Sequence, residues 1–295
     1  MGKEHFAGIF PYLVTPLDDE GRLKEEVLAG LVDHLIRKGV HGFTPLGSTG
    51  EGAYLDWPTK KRAVELVVEA AGGRVPVIAG VNNLTTVGAV REAVETERLG
   101  VDGILVVLPT YFPVSDRQVI SHFRTVARAV SCPVVLYTNP TFAMWDFTIP
   151  ALKQLAEEPN ICYLKDASGN IGKLMSIVTA LSDRIKIFSA SAHVPTFVFM
   201  LGGVGWMAGP ACLIPEQSVA LYELARQKKW EEALELQKTL WPLNVAFQKY
   251  SLAACVKAGL EMQGFPVGSP LPPQKQLDGE GREAVRKILR NIGAL

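Results

Sequence analysis

The apolar pattern of the chain predicts an α/β fold, a (β/α)8 TIM barrel with a C-terminal helical extension. Three observations carry that prediction. Strand-like apolar runs recur at a spacing of about 30 residues, with helical patterns in most of the intervals between them. The runs are nearly continuous, as in Ile104-Leu105-Val106-Val107-Leu108, which suits strands covered by helices on one face and by a filled core on the other. After the first run stands Thr15-Pro16-Leu17-Asp18, where an open doubly wound sheet would favour a phosphate-cradling glycine fingerprint.

The first strand is expected over Ile9–Val14 and ends at Thr15-Pro16. A helix follows from Leu23 to Arg37, its apolar residues Leu28, Leu31, Val32 and Leu35 falling on one face. Further strands are expected at Gly42–Leu46, Val75–Val81, Gly103–Leu108, Pro133–Thr138, Ile161–Lys165, Lys186–Ala190 and Gly205–Ala208. Beyond Pro215 the strand-like runs stop, and Glu216–Gln227, Trp230–Gln248, Tyr250–Gln263 and Gly281–Ile292 all have helical spacing. The first of these helices would complete a barrel domain over residues 1–228, and the others would form a C-terminal helical layer over 229–295.

Lysine plus arginine equals aspartate plus glutamate at 30 each, so no net field draws the chain to nucleic acid or to an anionic membrane. Met1-Gly2-Lys3-Glu4-His5 leads into Phe6 without an apolar signal core, and no stretch of about 18 uninterrupted apolar residues occurs. A cytoplasmic enzyme for small molecules is the expectation. Cys132, Cys162, Cys212 and Cys255 are far apart and read as reduced core cysteines. No histidine pair stands at a strand end, so no metal site is expected.

In such a barrel the chemistry sits where strands run out into loops. Four ends stand out: Gly47-Ser48-Thr49-Gly50-Glu51, Pro109-Thr110-Tyr111-Phe112-Pro113, Tyr137-Thr138-Asn139-Pro140 and Lys165-Asp166. A lysine at the end of a buried strand is costly unless it is paired or neutralised. Lys165 is therefore either an amine made nucleophilic by desolvation or the partner of Asp166. Ser48 and Thr49 lie between glycines, which let backbone amides and hydroxyls approach a carboxylate, and Tyr137 should project its hydroxyl at the mouth. Amine, phenol and amide donors together suit imine chemistry on a 2-oxo acid.

The segments Gly47-Ser48-Thr49-Gly50-Glu51, Tyr137-Thr138-Asn139-Pro140 and Leu164-Lys165-Asp166-Ala167-Ser168-Gly169-Asn170, in this order and spacing, resemble the dihydrodipicolinate synthase / N-acetylneuraminate lyase family. The similarity runs from Gly8 through the last helix and includes Val14-Thr15-Pro16 and Leu201-Gly202-Gly203-Val204-Gly205. The resemblance implies a class I lyase without metal or cofactor, commonly a tetramer of two tight dimers. It implies that Lys165 forms the Schiff base, that Tyr137 is the general acid/base, and that Ser48 relays the proton. Thr49, with amides of the loop opened by Gly47, would grip the carboxylate, and Tyr111 would enter the site of the tight-dimer partner.

Departures from the family pattern narrow the substrate. Phe142 stands where the dihydrodipicolinate-forming member has an arginine for its second substrate's carboxylate, and a phenyl ring cannot make paired, charge-assisted hydrogen bonds. Leu84, Gly88 and Thr110 replace residues used there for feedback by lysine. Ser189-Ala190-Ser191-Ala192-His193 lacks the carboxylates with which sialic-acid lyases hold sugar hydroxyls. Phe112, Phe142, Met144, Trp145, Phe147, Trp206 and Met207 are expected near the mouth, with Phe142 and Met207 as substrate contacts. Tyr137-Thr138-Asn139, Phe142 and Trp145-Asp146-Phe147 look similar to the hydratase-aldolases of aryl-substituted pyruvates, so the expected aldehyde half is apolar or aromatic. A synthase-like activity, a 2-keto-3-deoxy sugar acid substrate and a non-catalytic 2-oxo acid binder are the alternatives.

Overall fold

In a computed structural model that describes residues 6–190 and 194–295, seven parallel strands form one curled sheet. They are β1 Gly8–Pro11, β2 Ile78–Val81, β3 Gly103–Val107, β4 Val134–Thr138, β5 Ile161–Asp166, β6 Lys186–Ser189 and β7 Gly205–Ala208. The spatial order is β1-β7-β6-β5-β4-β3-β2. Parallel neighbours need crossovers, and helices fill every interval between consecutive strands.

The expected second strand, Gly42–Leu46, is not a regular strand. It makes isolated parallel bridges, Tyr12 with Thr44 and Phe43 with Val77. Thr44 N–H donates to the Pro11 carbonyl at 3.0 Å and Ile78 N–H to the Phe43 carbonyl at 2.9 Å, so this segment bonds to both edges of the sheet. Its ladder stops early because Pro45 has no N–H and Leu46 turns left-handed at φ 59°. The strand expected from Val75 likewise begins only at Ile78.

Alternation along the strands divides the apolar residues between two cores. On β3, Leu105 and Val107 join an inner cluster with Phe10, Phe188 and Met207, while Ile104 and Val106 join an outer cluster with the helices. On β4 the same rule sends Val135 and Tyr137 inward and Val134 and Leu136 outward. Each such fully buried side chain contributes roughly 1.5–3 kcal/mol of transfer free energy.

The last helices span Pro215–Arg226, Trp230–Lys249, Leu252–Met262 and Gly279–Asn291, within two residues of the sequence expectation. The third starts at Ser251, whose hydroxyl accepts from Ala254 N–H. Among the described residues no helix is long and apolar enough to cross a membrane.

Candidate active site

The period of two along β5 decides where Lys165 points. Tyr163 faces the inner cluster and Leu164 the outer one, so Lys165 turns inward and Asp166 outward. Lys165 is 3% exposed, and its Nζ stands 3.9 Å from the ring centroids of both Tyr12 and Tyr137. Burial pushes its pKa well below the ordinary lysine value, and the charge of Asp166 opposes the shift only in part. Lys165 and Asp166 do not pair. Asp166 accepts from Ser168 N–H at 2.8 Å and from Ser168 Oγ at 2.6 Å, and its other oxygen meets Lys173 Nζ at 2.6 Å. Lys173 also reaches Asp146, which in turn accepts from Thr138 Oγ1 at 2.9 Å.

Tyr137 lies beside Lys165 in the β4–β5 register. Its hydroxyl is 3.2 Å from Ser48 Oγ and accepts from Asn139 Nδ2 at 3.4 Å. Burial raises the phenol's pKa, and these two hydrogen bonds pull it partly back. Ser48 sits on a tightly packed loop: a Cβ at Gly47 would stand 2.5 Å from the Tyr12 ring. The neighbouring Thr49 is fully buried, and at Gly209 a Cβ would come within 2.6 Å of its Oγ1.

A cavity of about 470 Å³ opens over Lys165, lined by Tyr12, Ser48, Tyr137, Phe142, Asn244 and Phe247, among others. A second cavity of about 410 Å³ shares Ser48, Tyr137 and Phe142 and continues along Gly47, Tyr54, Leu105 and Val107. Lys165, Tyr137, Ser48, Gly47 and Phe142 thus converge, and the Phe142 ring lies 6.1 Å from that of Tyr137. Others do not join them. Met207 is fully buried in the inner cluster and lines neither cavity, because the alternation on β7 packs it among rings below the mouth. Trp145, Phe147 and Trp206 are core residues, and Phe112 and Met144 are exposed. Tyr111 is 80% exposed and packs on Phe112 in this single chain. Ser191, Ala192 and His193 lie outside the described residues.

The profile of the dihydrodipicolinate synthetase family matches residues 5–292. The chain belongs to that family. A 4-hydroxy-tetrahydrodipicolinate synthase of Methanopyrus kandleri is 33% identical over 290 residues, covering 98% of this chain and 97% of the relative. The solved 4-hydroxy-tetrahydrodipicolinate synthase of Methylacidiphilum fumariolicum superposes with a TM-score of 0.94 at 28% identity, over 98% of this chain and 96% of that one. A dihydrodipicolinate synthase of Acinetobacter baumannii, solved in complex with pyruvate, superposes at 0.93 with 26% identity, over 98% and 99% of the two chains. The chain is accordingly a lyase of this family, metal-independent in class.

Three site residues escape a reading of strand ends. Tyr12 lies inside the first expected strand, and only its inward parity could have marked it. Asn244 and Phe247 come from the helix Trp230–Lys249, about 80 residues beyond Lys165, and no local pattern signals their approach.

Proposed function

We propose that this family member forms a Schiff base through Lys165 with pyruvate or a related 2-oxo acid and joins or cleaves it against an apolar or aromatic aldehyde. The observation that carries the reading is the position of the Lys165 amine, 3% exposed and 3.9 Å from two phenol rings at the floor of a cavity. Burial lowers the pKa of this amine, so it carries a proton less readily than an exposed lysine and is the better nucleophile at a given pH.

In the cleavage direction Lys165 Nζ attacks the ketone carbon of the 2-oxo acid, and water leaves to give the iminium. Tyr137, relayed through Ser48, takes the proton of the C4 hydroxyl. The C3–C4 bonding pair flows into the iminium, the aldehyde departs, and an enamine remains. Protonation at C3 and hydrolysis then release pyruvate and the free amine. If the iminium instead loses a C3 proton to give the enamine and the C4 hydroxyl then departs as water, the C3 electron pair forms the new double bond and the same site supports dehydration. Among the described residues Tyr12 Oη and Asn244 Nδ2, from two residues lining the first cavity, are buried without hydrogen-bond partners, and a carboxylate bound there would use that capacity; Thr49 Oγ1 is likewise unpartnered but lines neither cavity.

The walls of the second cavity support the apolar aldehyde half. Asn82 spends its amide on the Leu46 carbonyl and on Lys60, and Gln274 spends its own on Glu51 and Ser251. Away from Ser48 and Tyr137, much of the remaining wall is apolar, with Leu105, Val107 and Phe142 among its residues, leaving few free polar side-chain atoms for a polyhydroxylated tail. The names of the relatives favour a second reading, a dihydrodipicolinate synthase-like condensation, and Phe142 in place of an arginine weighs against it.

The segment bridging β1 and β2 serves as the eighth stave of a closed (β/α)8 barrel over residues 1–228, with 229–295 as a helical layer. The working unit is a homodimer or dimer of dimers that needs no cofactor and engages neither nucleic acid nor membrane. A cytoplasmic setting fits the four cysteines, all free. The test offers purified protein arylidene-pyruvates and sugar-derived 2-oxo acids, with released pyruvate as readout. Turnover of the aryl compounds, abolished by Lys165→Ala, is expected; turnover of the sugar acids alone would sink the aryl assignment.

A further inference from the structure

Glu51 stands three residues beyond Ser48 and has no part in the chemistry above. It is 3% exposed and holds a left-handed φ of 55°, a conformation that a non-glycine residue keeps only where its surroundings over-determine it. Its Oε2 is 2.6 Å from Lys257 Nζ, and its Oε1 accepts from Leu271 N–H at 2.6 Å and from Gln274 Nε2 at 2.9 Å. Lys257 is just as deeply buried and also donates to the Ser269 carbonyl at 2.8 Å. All of these partners come from the C-terminal part of the chain: Lys257 from the helix Leu252–Met262, the others from the extended connection after it. On the opposite side Thr15 Oγ1 donates to the Gly50 carbonyl at 2.7 Å, so the loop is clamped from both directions. A buried ion pair is a poor source of stability, since well-packed apolar residues of similar volume often serve as well. What it supplies here is a fixed geometry for the loop that carries Ser48.

We propose that the Glu51–Lys257 ion pair is a positioning pair that ties the 47–52 loop to the C-terminal helices and thereby holds the Ser48 hydroxyl at Tyr137. The inference rests on the roles given above to Lys165, Tyr137 and Ser48. Lys165 is anchored separately on β5, so at saturating pyruvate, which offsets any weakened grip by the loop on the carboxylate, the imine still forms and the pair acts on the proton transfer that follows. A loop released to drift by about 1 Å would lengthen the Ser48–Tyr137 contact beyond hydrogen-bond reach and slow the relay.

Pyruvate alone is the probe, with two readouts. Borohydride trapping followed by mass spectrometry reports the imine on Lys165. In D2O the iminium loses a C3 proton to Tyr137 and the enamine takes back a deuteron, so deuterium entering the pyruvate methyl reports the relay with no aldehyde present. The double variant Glu51→Gln/Lys257→Met removes both charges together and leaves neither ion stranded. It should trap to the wild-type extent while deuterium exchange slows at least about tenfold. Gln274→Ala leaves the ion pair in place, guards against a double variant that fails to fold, and should slow exchange by about two- to fivefold with full trapping. Exchange within twofold of wild type in the folded double variant, or trapping and exchange falling in parallel in either variant, overturns the inference. No adduct in the wild-type protein overturns the Schiff-base reading itself; an adduct throughout with unchanged exchange overturns only the positioning role.

Discussion

Lys165 concentrates the physical conflict of this fold in one side chain. Desolvation holds its pKa below the ordinary 10.5, so at pH values beneath 10.5 the unfolded chain binds a proton that the folded chain resists. Stability therefore rises with pH through this interval, and the penalty is greatest on the acidic side, below the folded pKa. Lys165→Met, close in volume and uncharged, should raise the thermal midpoint at pH 7 by at least about 2 °C while abolishing imine formation. The gain should shrink as pH rises from the folded pKa toward 10.5 and be absent above it. Calorimetry across pH measures it, and a variant less stable than wild type at pH 7 would contradict the desolvation account. Tyr12 and Tyr137 make burial tolerable by offering ring faces to the nitrogen at 3.9 Å, a contact that neither ring makes with a carboxylate's strength.

At the scale of the element, the turn after β5 shows how a strand end becomes a rigid platform. Asp166 binds the Ser168 amide and hydroxyl, Asn170 caps the helix Ile171–Leu181 by accepting from Lys173 N–H, and Lys173 returns to Asp166. The helix Asp116–Arg128 carries a second buried titratable group, His122, 3% exposed with Nδ1 3.0 Å from Thr86 Oγ1. Burial lowers its pKa from 6.5 to about 4. The unfolded chain takes up this proton as pH falls through 6.5 and the folded chain only near 4, so the contribution is present above 6.5 and lost between 6.5 and 4. That loss is on the order of 3 kcal/mol. His122→Leu should flatten the stability–pH curve over this interval in denaturant titrations, and an unchanged slope would assign the acid sensitivity elsewhere.

For the whole molecule, the outlying tyrosine matters most. Tyr111, Phe112 and Leu84 are 80%, 71% and 65% exposed and line one surface cavity of about 530 Å³. Large exposed apolar side chains gathered in this way mark an interaction surface. If a second copy covers it, each Tyr111 enters its neighbour's proton relay, and one chain alone is catalytically incomplete. Tyr111→Arg is expected to shift sedimentation toward the monomer and to slow pyruvate deuterium exchange by roughly 10²-fold or more. A monomeric variant with full exchange would remove Tyr111 from the relay.

The sequence by itself determined the places of seven of its eight expected strands and of the helices it bounded, Leu23–Arg37 and the four beyond Pro215, because apolar period and turn residues are local properties. It also singled out Lys165, Tyr137 and Ser48, since a costly or reactive side chain at a strand end is visible without coordinates. It overextended the segment at Gly42–Leu46, where Pro45 and a left-handed Leu46 break the ladder. Only the tertiary structure decided which side chains share the cavity: the curl of the sheet brought Tyr12 to Lys165 and closed the inner cluster over Met207, while helix packing delivered Asn244 and Phe247 and buried Trp145. Contacts between residues far apart in the chain depend on how elements pack against one another, and that information is not written in any single stretch of sequence.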